Sequence, residues 1–130
     1  MRALKPAFAA LLILSAATAA GAQSVVDGSD RAVGAEASRT VLDLIAQRMR
    51  DPEARVAALR LGRAGALCGT VEVRNRMGAH TGPRPFVADL SERFFGRLPE
   101  GPELRSPASP ADFRAMERAR ALFEANCTGG

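Results

Sequence analysis

Apolar positions recur along this chain with two different periods, and the change from one to the other predicts its elements. Val41, Leu44, Ile45, Arg48 and Met49 fall at helical spacing, with Arg39, Asp43, Gln47 and Arg50 largely on the other side. A helix is expected over 40–50, opened by Thr40 with Asp43 three residues on, or by Ser38. Pro52 disfavours helix in the residue before it, so this helix should stop at Asp51. Asp51-Pro52-Glu53 also suits a new start, and a short helical turn is expected through about Ala57. Leu59-Arg60-Leu61 then alternates like a strand, although helix could continue to Leu61 instead. Gly62 to Gly65 reads as a turn, and Ala66 to Arg74 is the clearest strand.

In that strand Leu67, Val71 and Val73 share one face, with Gly69 between them, and Cys68, Thr70, Glu72 and Arg74 share the other. Asn75 to Pro85 is a turn-rich loop in which Gly78 and Gly82 permit positive φ. Phe86 to Leu90 resumes as a strand, best paired antiparallel with the first. Phe94, Phe95 and Leu98 are expected to cap the core, followed by a Pro/Gly/Ser-rich connection from Pro99 to Pro110. Ser109-Pro110-Ala111-Asp112 is a strong helix opening, and Phe113, Met116, Ala119, Leu122 and Phe123 repeat at helical spacing behind it.

These elements predict one small α+β domain over 38–130. Its sheet should be antiparallel, of two to three strands (66–74 and 85–90, joined by 58–62), packed against an N-terminal helix 40–50 and a C-terminal helix 110–125. Ahead of it, residues 23–37 read as a flexible lead-in. Residues 1–22 read as a signal peptide: Arg2 and Lys5 give a positive start, Ala7 to Ala20 an apolar run, and Ala20-Gly21-Ala22 a cleavage site. Its apolar core from Ala7 to Leu14 is short of the ~20 residues a membrane span needs. No cysteine lies near the cleavage region, so an unlipidated protein beginning at Gln23, periplasmic or secreted and with no membrane span, is expected.

Composition narrows the function. The formal charge is +4, and Arg2 and Lys5 leave with the leader, so the mature balance is only slightly positive. Acidic and basic residues alternate without a basic block, and there is no Trp or Tyr to stack on bases, which argues against nucleic acid as a partner. Cys68 and Cys127 are the two cysteines, and paired thiols in an oxidising compartment predict a disulfide between them. Strand parity places Cys68 opposite the valines. Either a bulge at Gly69 turns it inward, or the tail bearing Cys127 crosses the other face or an edge.

Cys68-Gly69, Val71, Asn75, Gly78, Thr81-Gly82 and Phe86 resemble a motif of small secreted bacterial proteins of uncharacterised function, C-G-x-V-N-x-x-N-x-x-G-G-Y-T-G-x-x-x-F. Asp51-Pro52 and Cys127 fit the wider frame of that family. Glu72 replaces the Asn after Val, and Ala79-His80 replaces Gly-Tyr before Thr81. The resemblance implies a shared fold over roughly Asp51 to Cys127 and brings no activity with it.

No catalytic constellation forms. His80 is alone in its loop, and a general base needs a proton within reach and an orienting partner. One His and two distant Cys do not make a zinc site, and the haem attachment pattern lacks its second Cys and its His. No metal or cofactor is expected. Asn126-Cys127-Thr128 matches a glycosylation sequon by chance. The binding candidates are Arg74, Asn75, Arg76, His80, Thr81 and Arg84, where guanidinium groups and turn amides bracket a glycine-rich loop. The expected function is a non-enzymatic, disulfide-stapled interaction or structural module whose partner is another periplasmic or cell-envelope protein. The alternative is a small-molecule or anion-binding protein, less readily a hydrolase, using loop 75–84. A deep pocket lined by that loop favours the alternative, and a flat or convex surface the module.

Overall fold

A computed structural model describes residues 24–129, together with Ala3. The expected signal peptide, its cleavage site and Gln23 lie outside the described residues. The domain is built around five strands: β1 (Ser24–Val25), β2 (Arg55–Leu61), β3 (Leu67–Glu72), β4 (Arg84–Asp89) and β5 (Phe94–Arg97). They lie in the sheet in chain order, antiparallel throughout except that β1 runs parallel to β2. The α+β composition is as expected. The two-to-three-stranded antiparallel sheet is not, and must be corrected to a five-stranded mixed one.

Two physical features hid β5 and the first half of β2, the strand expected only over 58–62. β2 carries a bulge between Ala57 and Arg60, with Ala58 at φ 54°. Val56 and Leu59, three residues apart, therefore both reach the same core, which breaks the period-two pattern. The helical turn expected through Ala57 is a tight turn instead. The Asp51 side chain accepts the Glu53 N–H at 3.0 Å, the Asp51 carbonyl accepts the Ala54 N–H at 3.1 Å, and the strand begins at Arg55. In β5 the adjacent Phe94 and Phe95 are both buried but in different clusters, so an apparent core cap is a strand covered on both faces. β1 is two residues long and carries no pattern to read.

The four helices are α1 (Asp30–Val33), α2 (Ala35–Met49), α3 (Gly101–Arg105) and α4 (Pro110–Asn126). The segment read as a lead-in thus holds β1, α1 and the start of α2. Its polar side chains secure the bulge: Asp27 Oδ2 accepts the Ala58 N–H at 2.8 Å, and Ser29 Oγ accepts the Leu59 N–H at 2.9 Å. The Ser29 hydroxyl, the Ala58 N–H and the Ser29 N–H lower the Asp27 carboxyl to about 2.

α2 packs Val41, Leu44 and Ile45 on one face of the sheet, against Val56, Leu67, Val71, Phe86, Ala88 and Phe95. α4 covers the opposite face, where Ala119 joins Ala66, Cys68, Val87, Phe94 and Cys127. Pairing of β3 with β4 is regular through Cys68↔Val87 and Gly69↔Phe86, so no bulge occurs at Gly69. Cys68 faces away from the valines, and α4 crosses that second face to bring Cys127 to it. The disulfide is formed, with the two Cα atoms 5.8 Å apart. Gly69 has another use. A Cβ there would lie 2.7 Å from Phe86 Cζ, so its absence lets that ring settle onto the sheet.

Beside the disulfide, Asn126 latches the end of α4 to the β2–β3 turn. Its Oδ1 accepts the Ala64 and Ala66 N–H groups at 2.8 and 3.0 Å, and its Nδ2 donates to the Leu122 carbonyl at 2.9 Å. Arg60 donates to the Cys127 carbonyl, and Arg63 to the Glu124 carbonyl at 3.0 Å. The helix start follows its sequence: Ser109 Oγ accepts the Asp112 N–H at 3.0 Å, and Pro110 opens the first turn.

Candidate functional site

The loop joining β3 to β4 is held together by the residues that mark its motif. Asn75 Oδ1 accepts the Met77 and Ala79 N–H groups at 2.9 and 3.1 Å, and the Asn75 N–H donates to the Ala79 carbonyl at 2.8 Å. This is an Asx-type turn, closed by Gly78 at φ 81°. Thr81 donates both its N–H and its hydroxyl to the Val73 carbonyl, at 3.2 and 3.1 Å. The Gly82 N–H donates to Glu72 Oε1 at 3.2 Å. Glu72, where the resembled family has Asn, thus serves the loop as an acceptor.

The loop's two flanking arginines are committed in different directions. Arg74 grips Asp51 through its Nε and Nη2 at 3.1 and 2.8 Å, and its backbone N–H donates to Asp51 Oδ2 at 2.8 Å. Its Nη1 also meets Glu53 at 3.0 Å. The Arg74 side chain and backbone, with the Glu53 N–H, hold the nearly buried Asp51 carboxyl well below the usual carboxylate range, and the Arg74 guanidinium is raised in return. Arg84 instead donates to the Leu98 carbonyl at 2.8 Å and pairs with Glu103 at 2.6 Å and Glu100 at 3.5 Å. Burial alone would raise Glu103; the Glu100 N–H and the Arg84 charge bring it below its ordinary value.

Arg74, Asn75 and Arg76 share the lining of an open groove of about 370 Å³ with Met49, Arg50, Asp51 and Gly78. His80, Thr81 and Arg84 lie outside that lining. Within the groove Arg74 is neutralised, and Arg50 and Arg76 are exposed. Met77, at the loop tip, is 91% exposed. His80 pairs its backbone with Arg74 in an isolated bridge, and its Nδ1 is buried with no hydrogen-bond partner. No described residue hydrogen-bonds that nitrogen to orient the imidazole for proton transfer. Among the described residues, no group of three or more His, Cys, Asp or Glu side chains could hold a metal ion.

A second concavity, of about 220 Å³, lies along β5, the outermost strand on that side of the sheet. All four residues of β5 line it. Arg48 and Met49 of α2, Pro99, Glu103 of α3, and Asp112, Ala115 and Met116 of α4 complete the lining. Arg97 is half-buried here, and burial together with the nearby Arg84 charge lowers its guanidinium below the ordinary arginine value. Arg97 makes no hydrogen bond or salt bridge to any described residue. Sequence reasoning missed it because β5 was read as a core cap. From sequence Asp51 reads as the stop of one helix, the opener of the next turn and part of the Asp51-Pro52 frame, with no sign of its pairing with Arg74. Its place in the Asp51-Pro52 frame was the signal that it mattered.

No family model, curated protein or solved structure matches this chain. Among the described residues, no helix is long and apolar enough to cross a membrane. The disulfide is compatible with an oxidising compartment.

Proposed function

We propose that this chain is an exported, non-enzymatic interaction module of the periplasm or cell exterior, stapled by Cys68–Cys127, whose partner is another envelope protein. One observation carries the reading: four polar side chains of the motif loop and its flanks, Arg74, Asn75, Thr81 and Arg84, are spent on the scaffold. Arg74 is held by Asp51 and Glu53, Arg84 by Glu100, Glu103 and the Leu98 carbonyl, and Asn75 and Thr81 by the loop's own backbone. A binding or catalytic loop keeps such groups aimed at a ligand; this one turns them inward around an open groove. The leader-like residues 1–22 and the buried disulfide support placement outside the cytoplasm.

The test combines capture and turnover. Oxidised mature protein should retain a partner from periplasmic extract, and reduction of the disulfide should release it. Hydrolysis of a reporter ester or phosphoester that disappears in a folded His80→Ala variant would replace the module with an enzyme.

A further inference from the structure

The free edge of β5 is shaped to take another strand. In the β4–β5 ladder Leu98 lies opposite Pro85 and donates its N–H to the Pro85 carbonyl at 2.8 Å. Antiparallel pairs alternate between bonded and non-bonded, so Gly96 and Phe94 also turn their backbone groups toward β4. Phe95 and Arg97 therefore turn theirs outward, along the cleft, and no described residue bonds them. Edge strands with open backbone groups are templates for pairing unless a protein covers or blunts them. Here no described strand pairs with the edge and none of its four residues is proline, and it lies in a concavity lined by α2, Pro99, α3 and α4.

The side chains beside that edge specify what would pair with it. Phe95 and Arg97 share the face toward α2, with Met49 nearby, while Phe94 and Gly96 share the face toward α4, near Ala115 and Met116. Glu103 and Glu100 pair with Arg84 and offset the Arg97 charge only from a distance, and among the described residues none accepts a hydrogen bond from the half-buried Arg97 guanidinium. A partly desolvated guanidinium without hydrogen bonds is stabilised by a carboxylate placed against it.

We propose that the cleft along β5 binds an extended acidic peptide segment of the partner protein by strand addition. In that segment a carboxylate side chain opposes Arg97, and an apolar side chain two positions away lies over Phe95 and Met49. Small or apolar residues at the alternate positions face Gly96 and Met116. The proposal rests on the module reading and deepens it by naming the surface and the chemistry of the partner.

The probe is a capped peptide of alternating valine and threonine bearing one glutamate, beside an otherwise identical peptide bearing glutamine. Both are titrated into 15N-labelled oxidised protein. The expected result is binding of the glutamate peptide, with the Phe95 and Arg97 amides gaining hydrogen-exchange protection. The glutamine peptide should bind about ten-fold or more weakly, the worth of one charge-assisted contact. Arg97→Gln should erase that difference while the β3 amides keep their native shifts, which shows the variant folded. Should Arg97→Gln fail to fold, the protection of the two β5 amides in the natural protein decides the matter. Equal binding of free glutarate without protection of those amides would overturn strand addition. So would the absence of peptide binding, or self-association of the chain through β5. If these fail while oxidised protein still captures a partner, the β5 site falls and the module reading stands. A His80-dependent turnover would remove the module reading and leave the peptide result intact.

Discussion

Cutting the Cys68–Cys127 bond should free α4 before it disturbs anything else. α4 buries little: Ala119 and Asn126 are its buried residues, with Leu122 and Phe123 packed partly against the sheet. Its remaining attachments are the Asn126 latch, the Arg60 and Arg63 bonds, and Arg118 lying 4.3 Å over the Phe94 ring. The opposite face has a core cluster of eleven buried residues and depends on none of these. The bridge closes a loop between residues 59 apart in sequence. For a loop of that length the chain-entropy model gives about 4 kcal/mol. Net domain stability is only about 5–15 kcal/mol, so this is a large fraction of it. Hydrogen exchange of oxidised, reduced and Cys127→Ser protein reads the effect amide by amide. Protection in α4 should fall by up to about 10³-fold, with little dependence on denaturant, and α4 should exchange ahead of α2 and β3. An oxidised Asn126→Ala control strands the Ala64 and Ala66 N–H groups and should loosen the same helix by about 2 kcal/mol. If α4 and α2 still exchange as one cooperative unit after reduction, the disulfide is not what holds α4 down.

Three further outcomes follow from particular contacts. Asp51→Ala leaves the Arg74 guanidinium only its Glu53 contact and strands the Arg74 and Glu53 N–H groups, and should lower stability by about 2 kcal/mol in urea titration. Because the Asp51 carboxyl is held below its unfolded value, its contribution is complete above about pH 4 and is lost as pH falls further; a stability profile flat between pH 5 and 2 would contradict this. Gly69→Ala places a methyl group 2.7 Å from Phe86 Cζ and 3.0 Å from Leu59 Cδ2, and overpacking of this kind should lower stability by about 2 kcal/mol, measured by thermal unfolding. His80→Ala should leave the fold and partner capture unchanged, with a stability change under about 1 kcal/mol, since its buried Nδ1 contributes no hydrogen bond.

What the sequence made legible was whatever a local period or cap could encode. α4 began where Ser109-Pro110 placed it, and α2 showed its stripe at Val41, Leu44 and Ile45. The helix starts earlier, at Ala35, because its first turns are small and polar and leave no apolar mark. β2 was legible only from 58 onward because a bulge put Val56 and Leu59 on one face, and β5 escaped because a strand buried on both sides does not alternate. The pairing of Cys68 with Cys127 was readable from the paired thiols. The route stayed open between a bulge at Gly69 and a tail crossing the other face or an edge, and the crossing of the other face is the one found.

The candidate loop was ambiguous in sequence for a related reason. Arginines around a glycine-rich loop look alike in sequence whether they await a ligand or brace the fold, and the acids that decide between these lie far along the chain. Asp51 is 23 residues from Arg74, and Glu103 is 19 from Arg84. Each acid sits on a separate element, so each loop arginine ties the β3–β4 hairpin to a different neighbour: one to the turn before β2, the other to α3. This bracing leaves the two ends of the loop fixed and its exposed tip at Met77 uncommitted. It also gives a reason for Arg97 to differ from the rest. Arg84 takes the short-range pairing of Glu100 and Glu103, and Arg97 on the neighbouring strand feels those acids only from a distance and stays half-buried beside the outward backbone of β5. The charge this scaffold leaves unsatisfied lies at an edge, where another chain can reach it.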